Sequence, residues 1–225
     1  MTTLLLVHGA YHGRWCWDRL IPELADLGIP AEAVHLPLTT PEADTATVTA
    51  AIDRLTAAGE RVVLLGHSFG GSVISAVADA GASSGTSPAH LVYLTAVLLC
   101  AEHDVEFEPS PGMAAMLHDG DTMSVDPDLA TLAFYHRCEP ADAAWAIEQL
   151  RPMPAALFAM GGERSRSPIP TTYIVCTDDQ IISEGSQRQM AAAADSSVDI
   201  DADHSPFLSA PGALAALLAP IVRSA

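Results

Sequence analysis

A serine flanked by glycines is the first feature of this sequence that could do chemistry. The segment Gly66–Gly70 reads GHSFG; it follows the apolar run Val62–Leu65 and precedes small residues that are typical of a helix. A tight turn from a strand into a helix can expose a serine hydroxyl above a sheet. The N-terminus of the helix then directs N–H groups at negative charge that develops near the serine. We therefore predict that Ser68 is a nucleophile; the alternative is an ordinary glycine-rich turn.

A serine nucleophile needs a base, and the base needs an acid that orients it. Nine histidines compete for the role of base. His204 lies between the last predicted strand and the last predicted helix, which allows the chain order serine, acid, histidine. The acid is expected after the preceding strand, where Asp178 and Asp179 are adjacent. Composition does not choose between these two, and Glu102 and Asp104 are further candidates.

Two backbone N–H groups must stabilise the oxyanion that forms when a serine attacks an acyl carbon. One is expected from Phe69, which follows the nucleophile, and the other from the loop after the first strand. That loop reads His8-Gly9-Ala10, and its small residues let the main chain approach a tetrahedral oxyanion. His8 and His12 do not form a metal pair, because a glycine follows each and disfavours the helix that such a pair would need. We predict no metal site and no cofactor.

The composition excludes several classes of protein. The chain has 225 residues, 49% of them hydrophobic, which suits a single α/β domain and excludes a disordered chain. It has 28 acidic residues against 10 basic ones, and the net charge of −18 disfavours binding to nucleic acid or to an anionic membrane. All ten basic residues are arginine. The lack of lysine excludes a Schiff-base lysine, and with it the usual pyridoxal phosphate chemistry, as well as a P-loop.

The cysteines and the N-terminal residues indicate a cellular location. The four cysteines, at positions 16, 100, 138 and 176, are too far apart in sequence to form a CxxC element. The segment Met1–Gly9 has no basic region and only a short apolar run, and no run reaches the length of a membrane span. We therefore expect a cytoplasmic protein with reduced thiols.

The elements that must position these residues follow from the apolar pattern. Short apolar runs alternate with longer stretches of helical composition, which predicts an α/β fold with a mostly parallel central sheet and helices on both faces. The predicted strands are Thr3–Val7, Ala31–His35, Arg61–Leu65, His90–Leu98, Thr171–Cys176 and Ser197–Ile200. The predicted helices are Trp17–Leu27, Glu42–Ala58, Phe69–Ala82, Glu184–Ala194 and Pro211–Arg223.

Residues 101–167 interrupt this alternation. They contain five of the seven methionines and two short predicted helices, Pro127–Cys138 and Pro140–Leu150. An insertion of this length between two strands is typically functional. We therefore predict a short helical cap over residues 101–167 and a core formed by residues 1–100 and 168–225; a peripheral subdomain that only covers a sheet edge is the alternative.

With these motifs in place, the sequence resembles the α/β-hydrolase superfamily over essentially its whole length. The segment Leu6–Trp17 (LVHGAYHGRWCW) is similar to the start of the plant methylesterase and hydroxynitrile lyase branch. The segments Tyr173–Asp179 (YIVCTDD) and Asp203-His204 are similar to the closing segments of that branch. The resemblance implies a set of site residues: the nucleophile Ser68, the base His204, the acid Asp179, and the N–H donors Ala10 and Phe69.

Two departures from this branch favour an esterase over a lyase. The lyases resemble one another in having Thr where Gly9 stands and Lys where Ser205 stands, so the residues that handle a cyanohydrin are missing here. We expect a serine hydrolase that cleaves a small, largely apolar carboxylic ester, such as a methyl ester, through an acyl-enzyme. Gly9, Trp15 and Tyr135 are predicted to contact this substrate, with burial in the core as the alternative for the two aromatic residues.

Two other hypotheses keep the same residues and change the function. The triad could cyclise or cleave a carbon–carbon bond of a bulkier metabolite, because flexible methionines in the cap can line a larger pocket. The protein could also be a ligand receptor without turnover, although nothing in the sequence favours this. In each case the expected partner is a small molecule, not a nucleic acid or a membrane, and a homodimer is possible.

Overall fold

The computed structural model describes residues 1–84, 87–101, 105–160 and 168–225. The candidate acids Glu102 and Asp104 lie outside the described residues. The strands of the described residues are β1 (Thr2–Val7), β2 (Ala31–Ala33), β3 (Arg61–His67), β4 (His90–Leu94), β5 (Met116–Asp119), β6 (Thr122–Val125), β7 (Met153–Pro154), β8 (Thr171–Cys176) and β9 (Ser196–Ile200).

Six of these strands form a parallel sheet in the order β2-β1-β3-β4-β8-β9. Nearly every residue of β1, β3, β4 and β8 is buried, on both faces of the sheet. Burial on both faces explains why these strands read as continuous Val, Leu and Ile runs rather than as alternating patterns. The predicted parallel central sheet is confirmed.

Helices surround the sheet, and two pairs of them pack together: α1 with α8, and α2 with α3. The α-helices are α1 (Leu20–Asp26), α2 (Pro41–Ala57), α3 (Gly70–Ser84), α4 (Pro127–Ala130), α5 (Pro140–Gln149), α6 (Glu184–Ala191), α7 (Pro206–Ser209) and α8 (Pro211–Ser224). Within the described ranges, none of them has the length and apolar character needed to span a membrane.

The order of the strands reverses beside β1. The chain adds β2 on one side of β1, and β3 then pairs with the other side. At such a switch point the loops that follow neighbouring strands separate and open a crevice at the carboxyl ends of the strands. The loop after β1 and the turn after β3, which carry the predicted N–H donors and the predicted nucleophile, border this crevice.

Four core elements are shorter than the sequence predicts, and one of them is the helix expected over Glu184–Ala194, which ends at Ala191. The strand expected over His90–Leu98 ends at Leu94, because Thr95 adopts a left-handed φ of 36°. The strand expected over Ala31–His35 ends at Ala33. The helix expected over Trp17–Leu27 is a 3₁₀ turn over Arg14–Trp17 followed by α1. The early end of β4 directs the Thr95 side chain towards the candidate acid, as described below.

The insertion contains β structure that the sequence analysis did not predict. Strands β5, β6 and β7 form an antiparallel sheet, and Gly120, with a φ of 57°, lies in the two-residue turn between β5 and β6. A Gly-Asp pair between short strands is a hairpin signal, so the sequence did carry this information. The helix expected over Pro127–Cys138 is α4 followed by a π-helical turn over Thr131–Tyr135.

Candidate active site

The turn after β3 presents Ser68 in a strained conformation. Its φ is 52°, in the left-handed region that residues other than glycine rarely adopt. The glycines on either side permit this turn: a Cβ on Gly66 would lie 2.6 Å from the Gly70 carbonyl oxygen, and one on Gly70 would lie 2.7 Å from the Val7 carbonyl oxygen. The sequence therefore uses glycine here because β1, the turn and the first residues of α3 approach too closely for a side chain.

A buried pair formed by His204 and Asp179 lies at the same edge of the sheet. His204 Nδ1 donates to Asp179 Oδ2 over 2.6 Å, and both side chains are almost fully buried. Asp179 Oδ1 accepts from the N–H groups of Ile181 and Ile182 at 2.6 and 3.0 Å. The Thr95 hydroxyl donates to Asp179 Oδ2. These contacts fix the carboxylate and therefore the orientation of the imidazole.

The neighbouring Asp178 points away from this pair. Its carboxylate is about half exposed and contacts His136 Nε2 at 3.2 Å and Arg137 Nη1 at 3.7 Å. The two aspartates, which composition could not tell apart, thus lie in different environments. Of these two aspartates, Asp179 alone forms a hydrogen bond with His204.

His67 links the nucleophile turn to the segment that carries His204. His67 Nε2 donates to the main-chain carbonyl of His204 over 2.8 Å, and the two rings lie 4.7 Å apart between centroids. No hydrogen bond joins the Ser68 hydroxyl to His204 in the described part of the chain. Hydrogen bonds between catalytic groups are often long in free enzymes and tighten only when substrate binds. The arrangement therefore holds the two residues near one another through their neighbours.

The predicted oxyanion donors are free to bind a ligand. Within the described ranges, neither the Ala10 N–H nor the Phe69 N–H donates to another protein atom. His8 orients the first of them: its Nδ1–H donates to the Gly9 carbonyl over 2.9 Å, while its Nε2 accepts from the Leu36 N–H over 3.0 Å. Because the Gly9 carbonyl and the Ala10 N–H belong to one peptide plane, this bond sets the direction in which the N–H points.

His12 holds the other side of Ala10. Its Nδ1–H donates to the Ala10 carbonyl over 2.7 Å, and its Nε2 accepts from the Tyr135 hydroxyl over 2.8 Å. The ring also stacks on Trp15, with 5.3 Å between centroids. Burial lowers the pKa of His12 to about 4 and that of His8 to about 3, so both rings stay neutral near pH 7 and keep these donor and acceptor roles.

A cavity of about 350 Å³ opens over Ser68. Its wall is largely apolar, and it includes three methionines and two phenylalanines from the insertion. The lining residues are Ala10, Tyr11, Ser68, Met113, Met116, His118, Met123, Phe134, Ala155, Phe158 and Ile181. The cavity can therefore hold a small ligand with a mostly apolar surface against the serine.

The structure places some of the residues predicted to contact substrate at the cavity wall and others away from it. Methionines 113, 116 and 123 of the insertion line the cavity, whereas Trp15 and Tyr135 do not. Trp15 and Tyr135 instead pack around His12, so the structure places them one layer behind the site. Gly9 also lies behind the lining: a Cβ there would lie 2.9 Å from both His67 Nδ1 and Ser68 Cβ. A side chain at this position would thus displace the nucleophile turn.

Sequence reasoning missed several residues of the site. Tyr11 and Phe158 line the cavity, Thr95 donates to the predicted acid Asp179, and His8 orients a predicted donor. The dense spacing of histidines around Gly9 was the available signal for the last of these. No group of three or more His, Cys, Asp or Glu side chains is arranged to hold a metal ion in the residues that the structure describes.

Comparison with known proteins adds a family match. Residues 4–217 match the model of the alpha/beta hydrolase family. Methylesterase 2 of Arabidopsis thaliana is 28% identical over 92% of this chain and 90% of its own. The pyrethroid hydrolase of Sphingobium wenxiniae is 29% identical over 97% of this chain and 87% of its own. A crystal structure of a pyrethroid hydrolase from Sphingobium faniae superposes with a TM-score of 0.81 at 25% identity, over 100% of this chain and 98% of the other.

Proposed function

The chain belongs to the α/β-hydrolase family, and we propose that it is a serine esterase that cleaves a small, largely apolar carboxylic ester, such as a methyl ester. The observation that carries the proposal is the cavity over Ser68, because the predicted nucleophile, the residue Ala10, whose N–H has no acceptor among the described residues, and an apolar wall meet there. Relatives named as a methylesterase and as a pyrethroid hydrolase support the same class of reaction.

In the proposed acylation step, His204 Nε2 takes the proton of the Ser68 hydroxyl while the oxygen attacks the acyl carbon. Asp179 keeps the other proton on Nδ1 and stabilises the imidazolium that forms. The N–H groups of Ala10 and Phe69 bind the oxyanion, and each contributes about 3 kcal/mol in comparable sites. His204 then returns the proton to the leaving alcohol, and the acyl group stays on Ser68.

In the proposed deacylation step, His204 removes a proton from a water molecule that attacks the acyl carbon. The same N–H groups stabilise the second oxyanion, and its collapse releases the carboxylic acid and restores the Ser68 hydroxyl. Neutral His8 and His12 keep the Ala10 peptide in place through both steps, because each donates to a carbonyl that flanks the Ala10 N–H.

The size and lining of the cavity support a small substrate. A volume of about 350 Å³ is near the lower end of the range for ligand pockets, about 300–1,000 Å³. Seven of the eleven lining residues come from the insertion, so we propose that it acts as the cap of the site, within residues 101–167. The core then supplies the reaction and the cap supplies most of the contacts to the substrate.

The experiment that tests this function compares Ser68→Ala with Ser72→Ala in hydrolysis of p-nitrophenyl butyrate. Ser72 is also buried, one turn into α3, and has no part in the proposed chemistry. We expect Ser68→Ala to lower kcat at least about a thousandfold and Ser72→Ala to lower it less than about threefold. Wild-type hydrolysis at the buffer rate, or equal loss in the two variants, would refute the proposal.

The methionines of the cavity favour one second candidate. Three thioether side chains line the wall beside Ser68 and can rearrange around a bulkier metabolite, which the same triad could cyclise or cleave at a carbon–carbon bond. A protein that hydrolyses no p-nitrophenyl ester, but whose Ser68 reacts with a fluorophosphonate, would favour this candidate over the esterase.

A further inference from the structure

Tyr11 carries a polar group that has no hydrogen-bond partner among the described residues. The residue is 2% exposed and its hydroxyl is buried, yet it makes no hydrogen bond among the described residues. Its ring lies between Phe134 and Phe158, at centroid distances of 6.4 and 6.3 Å. Tyr11 lines the cavity that contains Ser68, directly after the predicted oxyanion donor Ala10.

The other three tyrosines of the chain show what a buried phenol ordinarily does. All four lie in described parts of the chain. Tyr135 bonds to His12 Nε2, Tyr173 donates to the Ala96 carbonyl, and Tyr93 bonds to the Ser75 hydroxyl, each over 2.8 Å. Buried hydroxyls in proteins are nearly always satisfied, because desolvation without a hydrogen bond costs free energy. Among the described residues, the Tyr11 hydroxyl departs from this rule, and the residue lines the cavity over Ser68.

The backbone at Tyr11 adds to this cost. Its φ is 64°, a left-handed conformation that is unfavourable for an aromatic residue. Residues held in such conformations concentrate at sites of function. Most of the surrounding wall is apolar, and its other polar side chains belong to Ser68 and His118. Burial raises the pKa of the phenol to about 12, so the group is a neutral donor at physiological pH.

We propose that Tyr11 is a specificity-determining residue whose hydroxyl donates a hydrogen bond to an acceptor on the substrate. This inference rests on the proposed esterase function and names its substrate class: an ester that carries a second acceptor oxygen, such as a ketone or an ether, outside the scissile group. The scissile carbonyl is not the acceptor, because the proposed function assigns it to the N–H groups of Ala10 and Phe69. The remainder of the substrate is apolar.

Two pairs of esters test the proposal, because each pair differs only by an acceptor. p-Nitrophenyl 4-oxopentanoate has an oxygen where p-nitrophenyl 4-methylpentanoate has a methyl group, and p-nitrophenyl methoxyacetate has an oxygen where the butyrate has a methylene. The readout is the ratio of kcat/KM within a pair, compared between wild type and Tyr11→Phe. We expect the variant to lower this ratio about five- to tenfold in at least one pair.

The proposal is overturned if Tyr11→Phe leaves the kcat/KM ratio unchanged in both pairs, even if all four rates fall together. A uniform loss would mean that the hydroxyl acts on the scissile group or on the fold. If the wild type hydrolyses none of the four esters, the esterase function itself fails, and the inference fails with it. Turnover of the apolar esters without selectivity at Tyr11 refutes the inference alone.

Stability provides an independent test. Because the Tyr11 hydroxyl has no partner in the described part of the chain, Tyr11→Phe is expected to leave the urea midpoint of unfolding unchanged or to raise it. Tyr135→Phe, which removes the same atom from a satisfied phenol, should lower the midpoint. Equal losses in the two variants would show that the Tyr11 hydroxyl has a structural partner and would overturn the proposal.

Discussion

The two sides of the cavity are built by different means. The loop after β1, the turn after β3 and His204 form one side, which we call the floor. The other side, which we call the roof, consists of the lining residues Met113, Met116, Met123, Phe134 and Phe158. Hydrogen bonds hold the floor: His8, His12 and His67 each donate to a main-chain carbonyl within it. The roof consists of apolar side chains, three of them flexible thioethers. The floor can therefore fix one reaction, while the roof can adjust to the shape of the substrate.

Backbone strain follows the same division. Four described residues other than glycine have a left-handed φ. Three of them, Tyr11, Ser68 and Thr95, at 64°, 52° and 36°, lie at the floor or contact its proposed acid, and the fourth, Leu38 at 52°, lies in the loop after β2. None of the lining residues of the roof has a positive φ. Strain of this kind persists only where the surroundings over-determine the conformation. The floor should accordingly respond to single substitutions far more strongly than the roof does.

The largest effect is expected from Asp179→Asn. An amide at this position can no longer hold the proton on His204 Nδ1, so the ring loses the tautomer in which Nε2 accepts the serine proton. We expect kcat for p-nitrophenyl butyrate to fall about 10³- to 10⁴-fold, with a smaller change in KM.

The adjacent Asp178→Asn provides the matched control for this prediction. Its carboxylate contacts surface groups and not His204, so kcat should change by less than about threefold. If the two variants lost activity equally, the hydrogen bond between Asp179 and His204 would have no part in turnover.

A second prediction concerns the stability of the folded protein at acidic pH. Burial lowers the pKa of His8 to about 3 and of His12 to about 4, and it also lowers the pKa of His67. The unfolded chain binds protons on these rings as the pH falls below about 6.5, whereas the folded chain does not. The contribution of these histidines to the free energy of unfolding is therefore fully present above pH 6.5. It is lost as the pH falls towards 4, by up to about 1.4 kcal/mol per pH unit for each histidine.

Urea unfolding at pH 7.5, 6 and 5 measures this slope. His12→Gln removes one titrating ring while keeping a donor near the Ala10 carbonyl, so the unfolding free energy of this variant should depend less steeply on pH. An identical slope in wild type and His12→Gln would show that a neutral His12 contributes nothing to the floor.

The order of elements could be predicted from sequence because each central strand is an apolar run that is buried on both faces. The glycines around Ser68 were predictable for a related reason, since close approach of main chains excludes side chains. The choice between Asp178 and Asp179 could not be made from composition, because it depends on where the chain turns after β8. The end of β4 at Leu94 was also missed: His90–Leu98 is apolar except at His90 and Thr95, and the strain at Thr95 depends on tertiary contacts.

The roof was harder to predict than the floor. Its hairpin of β5 and β6 is short and partly exposed, so the alternating pattern is weak. Trp15 and Tyr135 illustrate a different limit: aromatic residues near a site can form its wall or support the residue behind the wall. Their place beside His12 is set by a hydrogen bond and a ring contact between distant segments, which no local pattern reveals.

The smallest effect is expected from Met116→Ala, which should change selectivity rather than rate. Removing a partly buried thioether from the roof makes room for a longer acyl chain, and each additional buried methylene is worth about 0.8 kcal/mol, or about fourfold in kcat/KM. We expect the ratio of kcat/KM for p-nitrophenyl octanoate to that for the butyrate to rise about three- to fivefold. Met160→Ala is the control, because this methionine belongs to the same insertion but does not line the cavity over Ser68. The same ratio in both variants would mean that the roof does not select the acyl chain. The proposed division, in which the floor carries the reaction and the roof adjusts to the substrate, would then be wrong for the roof.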